Sequence, residues 1–306
     1  MVRVLRKIDV KNPSMLCAWP GMGNVALGAV DYVRRRLKAT RFAEIEAKEF
    51  QAPGVILVKE GVAELPSLPR NIFYFTKNPE LIIFEGESQL TGKPGEKVMQ
   101  EILDLASELK VKRIFTGAAF PVSLSHREES QIYGVVNEES LRKTLLKFGA
   151  KIMEGGEIAG MNGLLLGYAA RRGREGICLL ATLPVYALGF SNPKASKAIV
   201  EILARTLGLK IDFTDLEVKV QQMEKNFEVI EEKIKEIFPL IEKEKITKVG
   251  VKKEKIPSHI MEKIEKLFRE ARVDRKKAYE LKRELDRWKL FEIYEDRFLD
   301  LFKDHQ

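Results

Sequence analysis

The sequence predicts an α/β protein, a three-layer αβα sandwich followed by a C-terminal helical extension. Short apolar runs alternate with segments of helical period as far as residue 215, which is typical of a sheet covered by helices on both faces. Beyond that point 44 of 91 residues are charged (23 basic, 21 acidic), against 54 of 215 before it (30 basic, 24 acidic). We therefore expect a core domain at 1–215 and a charged amphipathic helical extension at 216–306.

The elements of the core follow one another along the chain. Strands are predicted at residues 15–19, 55–58, 72–76, 81–84, 113–119 and 177–183, where apolar and β-branched residues cluster. Helices are predicted at 24–37, 94–109, 138–148, 162–172 and 193–207, where apolar residues recur with helical spacing. We expect residues 42–50 and 55–58 to form a hairpin around Ala52-Pro53-Gly54 at an edge of the sheet.

The extension is predicted to be helical and to lack strands. Apolar residues at spacings of three and four form one stripe along a long helix from Leu216, and a second apolar group crowds the last helix. These stripes either pack on the protein itself or contact a partner or second subunit. The candidate interface residues are Phe227, Ile230, Ile234, Leu285, Trp288, Phe291 and Tyr294.

Composition excludes several classes of protein. With 306 residues and 45% hydrophobic content the chain can bury a core, and its two cysteines, Cys17 and Cys178, sit in apolar runs typical of buried thiols. We expect a cytoplasmic protein without a disulfide framework or membrane span. The residues show no zinc-ligand spacing, so a structural zinc is not expected, whereas a site built from mixed oxygen ligands stays open. No resident metal or cofactor is assigned. A net charge of +8 is diluted by acidic residues, and nucleic-acid binding is not favoured.

A glycine-rich turn after the first predicted strand is a candidate ligand-binding loop. Glycines between a strand and a helix let backbone N–H groups approach an anion. The spacing departs from the dinucleotide fingerprint, and a tight turn with Asn24 as helix cap explains the same residues. The candidate ligand-binding residues of this loop are Pro20, Gly21, Met22, Gly23 and Asn24.

The segments 85–92 and 116–125, which lie at the ends of two further predicted strands, are expected at the same edge of the sheet, where parallel strands end. Glu85, Glu87 and Gln89 follow an apolar strand and could bind a small polar ligand, or they are ordinary polar loop residues. Asn162, in a run of five glycines over residues 155–167, is a candidate ligand-binding residue and a helix cap. His126 is considered as a general base, but a surface histidine in a polar loop is the favoured interpretation.

Taken together, ordered segments of the chain resemble the proteasome assembly chaperone two (PAC2) family, some of whose members are labelled ATP-grasp-like. The resemblance covers roughly residues 10–210 and lies in the motifs at 19–26, 86–89, 117–119 with 133–135, 160–165 and 178–184. It implies a fold similar to that of nucleoside phosphorylases, a homo-oligomer, and binding of proteasome α-type subunits without chemistry. Archaeal relatives can end in hydrophobic-Tyr-any residue, a pattern that Lys303-Asp304-His305-Gln306 does not match.

Two functions follow as hypotheses. The first is a non-catalytic, oligomeric, chaperone-like protein that binds protein partners. The second is a nucleotide- or phosphate-binding enzyme of the phosphorylase or ATP-grasp ligase type. The enzyme would use the Gly21–Asn24 loop for an anion, Glu85, Glu87 and Gln89 for a polar substrate or a metal, and His126 as base.

Overall fold

A nine-stranded mixed sheet forms the centre of the first of two compact units, Met1–Glu232 and Lys233–Gln306. The computed structural model describes residues 1–46, 53, 55–237, 263–264, 266–268, 270–271, 277–288, 294, 298 and 301, with side chains in the segment up to 237 described as far as Val229. The strands are β1 (Val2–Val4), β2 (Ser14–Ala18), β3 (Thr40–Ile45), β4 (Leu57–Lys59), β5 (Val62–Glu64), β6 (Asn71–Lys77), β7 (Glu80–Gly86), β8 (Arg113–Val122), β9 (Ile132–Val136), β10 (Lys151–Ile152) and β11 (Glu175–Pro184). The helices are α1 (Val25–Arg36), α2 (Gly92–Glu108), α3 (Arg142–Lys147), α4 (Gly160–Arg171), α5 (Pro193–Leu207), α6 (Thr214–Ile237) and α7 (Lys277–Arg287).

The order of strands in the sheet is β1-β3-β6-β7-β2-β8-β11-β9-β10. The four central strands β7, β2, β8 and β11 run parallel, so their carboxyl ends meet at one edge. Antiparallel pairs flank them on both sides. This arrangement brings the segments that follow β2 and β7 together, as the sequence predicts.

Helices cover both faces of the sheet, which confirms the predicted three layers. Alternation along β2 shows how: Met15 and Cys17 belong to the core beneath α2 and α4, whereas Leu16 and Ala18 belong to the core beneath α1 and α5. Both cysteines are buried, as predicted. Burial raises the pKa of the Cys17 thiol and raises that of Cys178 to about 11, so neither has the character of a reactive thiolate.

Helix α5 has the bounds that the sequence predicts, 193–207, because local residues define both of its ends. Pro193 occupies the first turn, and the Asn192 side chain accepts a hydrogen bond from the Ala195 N–H at 2.9 Å. Gly208 ends the helix with a left-handed φ of 65°, a conformation that glycine adopts without strain.

The predicted hairpin of residues 42–50 and 55–58 is wrong. The described part of the first segment, β3, pairs with β1 and β6, while β4 pairs with β5 in a separate two-stranded sheet. A Pro-Gly pair in the sequence suggests a turn but does not show which strand pairs with which. In the structure β3 has apolar neighbours within the main sheet, where Phe42 packs on Phe73 and Phe75.

The first unit extends past residue 215, where the composition changes, and ends after Glu232. The reason is that α6 begins as part of the core. Leu216, Met223 and Phe227 are buried in the same apolar cluster as α1 and α5. A charged helix therefore belongs to the α/β body through one narrow apolar face.

The second unit has an apolar cluster of its own. Leu281 and Leu285 of α7 are fully buried there with Ile264, and Phe268 packs on Tyr294 with ring centroids 5.6 Å apart. No helix within the described ranges is both long and apolar enough to cross a membrane.

Candidate functional site

The predicted ligand-binding residues meet at the carboxyl ends of the parallel strands, an edge we call the strand-end rim. It consists of residues 19–24 after β2, residues 85–89 at the end of β7, and residues 160–162 at the start of α4. The sheet divides it. On the α4 side Gln89 bonds to Pro20 and Asn162 bonds to Trp19, while Asn24, Glu85 and Glu87 line a recess on the α1 side.

Asn162 is committed to the backbone of the rim. Its Oδ1 accepts from the Trp19 N–H at 3.0 Å and its Nδ2 donates to the Trp19 carbonyl at 3.1 Å, both in a buried setting. The prediction that Asn162 caps a helix is wrong, because Ala159 holds that position in α4. The buried N–H and carbonyl of Trp19 both need partners, and the Asn162 amide supplies them instead of capping.

Gln89 repeats this arrangement nearer to solvent. Its Nε2 donates to the Pro20 carbonyl at 2.6 Å, and its Oε1 accepts from the Met161 N–H at 2.9 Å. The two amides thus tie the glycine-rich turn after β2 to the start of α4. In this arrangement both side chains stabilise the loop rather than point at a ligand.

The glycine-rich turn also satisfies its own backbone. Gly23 adopts a φ of 60°, its N–H donates to the Leu188 carbonyl, and its carbonyl accepts from the Asn192 N–H. The Asn24 N–H donates to the Gly21 carbonyl. Asn24 sits at the N-cap position of α1, yet its side chain makes no capping bond, so the predicted cap is wrong in its mechanism. The N–H groups of Gly23 and Asn24 that an anion would need are engaged within the protein.

Carboxylates on the α1 side are paired with arginines. The Arg34 Nε lies 2.8 Å from Glu85 Oε1, and the same guanidinium contacts Asp31. Burial raises the pKa of Glu85 although Arg34 opposes the shift. Glu87 pairs with Arg70 at 2.7 Å. Burial, the largest single effect, would raise the pKa of Glu87, but the hydrogen bonds and the charge of Arg70 together hold it below its usual value.

The recess between these carboxylates and α1 has a volume of about 200 Å³. It is bounded by Asn24, Gly28 and Asp31 on one side and by Glu85 and Glu87 on the other. Across the described ranges we find no group of three His, Cys, Asp or Glu side chains with the geometry of a metal site. The role of the rim residues as ligand-binding groups therefore stays a prediction.

His126 is buried, at 2% exposure, so the expectation of a surface histidine is wrong. Its backbone N–H donates to the Tyr186 hydroxyl at 2.8 Å, and its ring lies against Phe227 of α6 with centroids 5.9 Å apart. The polar residues around His126 in the sequence suggested solvent, but α6 covers this loop. A long-range contact of this kind leaves no local sequence signal.

A second surface, which the sequence reasoning did not identify, lies where α6 meets the segment joining β11 to α5. Phe227 is its centre, with the rings of Tyr186 and Phe190 packed edge-on at 5.8 and 5.9 Å. Between Phe190 and α6 runs a groove of about 650 Å³, which we call the α6 groove. This volume is in the range of sites that hold small ligands or peptide side chains.

Ion pairs fasten α6 beside this groove. Glu224 lies 2.5 Å from the Lys194 ammonium, which is nearly buried and also donates to the His126 carbonyl at 2.9 Å. Further pairs are Arg36–Asp215 at 2.8 Å, Lys197–Glu217 at 3.2 Å and Arg127–Glu228 at 3.4 Å. In the sequence these ion pairs are indicated by acidic residues of α6, Glu217, Glu224 and Glu228, which recur at helical spacing beside its apolar stripe.

The predicted interface residues fall into three groups. Phe227 is buried at the floor of the α6 groove, while Leu285, Trp288 and Tyr294 belong to the apolar cluster of the second unit. The side chains of Ile230 and Ile234, and Phe291 as a whole, lie outside the described residues. Their role in contacts with a partner or a second subunit remains a prediction.

Comparison with known proteins gives a consistent result. The model of the PAC2 family matches residues 15–231. PbaB of Pyrococcus furiosus, an archaeal proteasome activator, is 28% identical with a TM-score of 0.65, over 76% of this chain and 98% of PbaB. PbaA of the same organism, an archaeal homolog of proteasome-assembly chaperone, has a similar fold, at 22% identity and a TM-score of 0.61 over 79% of this chain and 96% of PbaA. An uncharacterized protein of Methanocaldococcus jannaschii is 27% identical over 75% of this chain and 89% of its own length.

Proposed function

Because the chain belongs to the PAC2 family, we propose that it is a non-catalytic, chaperone-like protein that binds protein partners, among them proteasome α-type subunits. The observation that supports this most directly is the family match over residues 15–231 together with the likeness to PbaB across 98% of that protein. We further propose that it works as a homo-oligomer in the cytoplasm.

The polar groups of the strand-end rim are bonded within the protein, whereas the surface beside α6 has exposed apolar groups that can bind another protein. The amides of Asn162 and Gln89 and the carboxylates of Glu85 and Glu87 each have partners within the protein. An enzyme site needs polar groups that face a substrate and are positioned for chemistry. A surface for another protein needs exposed apolar groups instead, and these occur beside α6, where Phe190 is 53% exposed and Tyr186 44% exposed.

Native mass spectrometry tests the proposal. The full chain is measured alone and then mixed with unassembled proteasome α-type subunits, with an unrelated protein of similar mass and charge as control. We expect a discrete homo-oligomer and a complex of defined stoichiometry with the α-type subunits. Failure to capture those subunits would reject them as partners.

A ligand screen separates the enzyme hypothesis from this one. Inorganic phosphate, ATP and nucleosides are added to the full chain, and its melting temperature is recorded, because a ligand that binds only the native state raises it. We expect no change. A clear rise that disappears in Glu85→Gln or Glu87→Gln would instead assign the recess of the rim to a small ligand.

A further inference from the structure

The α6 groove has an apolar floor and an exposed apolar wall. Met223 and Phe227 of α6 are buried at its base, and Pro193 lies at the start of α5 beside them. Phe190 on one wall is 53% exposed and Val229 on the other is 49% exposed. Aromatic and aliphatic side chains left open around a groove of about 650 Å³ favour the binding of an apolar group from elsewhere.

One edge of the groove is polar. Lys219, Gln222 and Asn226 follow each other at spacings of three and four, which places them in a row along one face of α6. In the portion of the chain that the structure describes, the side chains of these three residues make no hydrogen bond and no ion pair. The acidic residues of α6 nearest to them, Glu217 and Glu224, are already paired with lysines of the body.

This edge has the hydrogen-bonding pattern of a peptide acceptor. A side-chain amide both donates and accepts, so Gln222 and Asn226 can match the N–H and C=O groups of an extended chain. A bound helix would not need them, since its backbone is bonded internally. The distance from Lys219 to Asn226 along the axis is about 10 Å, the length of about three extended residues.

We propose that the α6 groove binds an extended apolar segment of a partner protein that carries a carboxylate at one end. The apolar side chains lie on Met223 and Phe227 against Phe190, the peptide groups meet Gln222 and Asn226, and the carboxylate meets the ammonium of Lys219. We take the carboxylate to be the end of the partner's chain, because Lys219 lies at one end of the polar row, where the bound segment stops. The inference holds for any partner protein and does not rest on the proteasome subunits proposed above.

Fluorescence anisotropy with the full chain tests this directly. The probe is a fluorescein-labelled peptide Gly-Gly-Gly-Leu-Ile-Phe with a free terminal carboxylate, compared with its terminal amide and with Gly-Glu-Leu-Ile-Phe-Gly amide. A labelled Gly-Gly-Gly-Ser-Asn-Ser peptide is the negative control. We expect the peptide with the free terminal carboxylate to bind more tightly than all the others. Tighter binding of the peptide with the internal Glu would contradict the assignment of the carboxylate to a chain end.

Matched variants assign the binding to the groove. Lys219→Glu should weaken binding of the carboxylate peptide at least about tenfold, because it removes a charge-assisted hydrogen bond and adds repulsion. Lys225→Glu makes the same charge change on an exposed position of α6 that does not line the groove, and should leave binding unchanged. Phe190→Ala should weaken binding of the peptide with the terminal carboxylate.

Three results would overturn the proposal. The first is equal binding by Lys219→Glu and Lys225→Glu, which would show that the groove cation is not involved. The second is binding that does not distinguish the apolar from the polar peptide. The third is no binding of any probe to the full chain, as expected if another part of this protein or a second copy occupies the groove.

Discussion

The strand-end rim and the α6 groove both present amide side chains, but they differ in where those amides find partners. In the rim, Asn162 and Gln89 bond to backbone groups of the neighbouring loop. In the α6 groove, Gln222 and Asn226 have no such bonds among the described residues. The residue type alone therefore does not distinguish a structural amide from one that can bind a partner.

The charged groups of the two regions differ in the same way. The carboxylates of Glu85 and Glu87 form ion pairs with Arg34 and Arg70, respectively. The ammonium of Lys219 stands beside apolar groups without an ion pair in the described structure. We infer that substitutions in the rim act mainly on stability, whereas substitutions in the groove act mainly on binding.

The largest effect is expected for Asn162→Leu. The change leaves the N–H and the carbonyl of Trp19 buried without partners, which should lower the free energy of unfolding by about 4 kcal/mol. Gln89→Leu is the matched control, since it removes an equivalent pair of bonds at an exposed position and should cost about 1 kcal/mol. Chemical denaturation measures both. Equal losses would contradict the idea that burial of the Asn162 bonds holds the rim together.

Gly86→Ala should be next in size, at about 3 kcal/mol. A Cβ at this position would lie 2.3 Å from Cδ1 and Nε1 of Trp19, whose ring is fully buried against Phe84 and cannot move aside. Gly167→Ala is the control, because an added Cβ there meets nothing within 4 Å. Chemical denaturation of both variants makes the measurement. A Gly86→Ala protein as stable as the control would show that the Trp19 ring can repack.

Lys194→Met tests how firmly α6 is held beside the groove. The lysine joins Glu224 to the His126 carbonyl in a nearly buried position, so its loss should cost about 2 kcal/mol, less than for a fully buried pair because Glu224 remains in contact with water. Hydrogen exchange should then be faster in α6 than in α5. Lys197→Met, which removes the more exposed pair with Glu217, should change stability by less than about 1 kcal/mol.

Much of the fold could be predicted because its signals are local. The apolar runs that become β2, β6, β7, β8 and β11 alternate with helical periods, and α5 carries its proline, cap and terminal glycine in the sequence. The strands β1, β5 and β10 were not predicted because each has only two or three residues, and β9 was missed because Gly134 interrupts its short apolar run. The hairpin was wrong for a different reason: the pairing of β3 is decided by strands that lie far from it in the chain.

The site could be predicted only in part. The sequence correctly placed the segments around Gly23, Glu87 and Gln89 at one edge, because parallel strands end together. It did not reveal the partners that these groups find within the protein, such as Arg70 for Glu87 and Pro20 for Gln89, since each bond joins residues far apart in the chain. The α6 groove depends on the contact between Phe190 and Phe227. No local sequence pattern in either segment predicts this contact.

A smaller, pH-dependent effect is expected for Glu85→Gln. Burial raises the pKa of Glu85 in the folded protein above its ordinary value of 4.5. Its contribution to stability is therefore fully present below that ordinary value and is lost as the pH rises through the folded pKa. The stability of the natural chain relative to Glu85→Gln should fall from pH 4 to pH 7, as measured by denaturation across that range. An opposite slope would mean that the attraction of Arg34 outweighs burial.

The smallest effect on stability is expected at the groove itself. Phe190→Ala and Lys219→Ala change side chains that are exposed to solvent, so each should alter the free energy of unfolding by no more than about 0.5 kcal/mol. Denaturation of the two single variants and of the double variant makes the measurement. A loss of 2 kcal/mol or more for Phe190→Ala would show that its edge-on contact with Phe227 belongs to the core, and the contrast between rim and groove would then not hold. Unchanged stability is also the condition under which weaker peptide binding by the same variants reports on the groove alone.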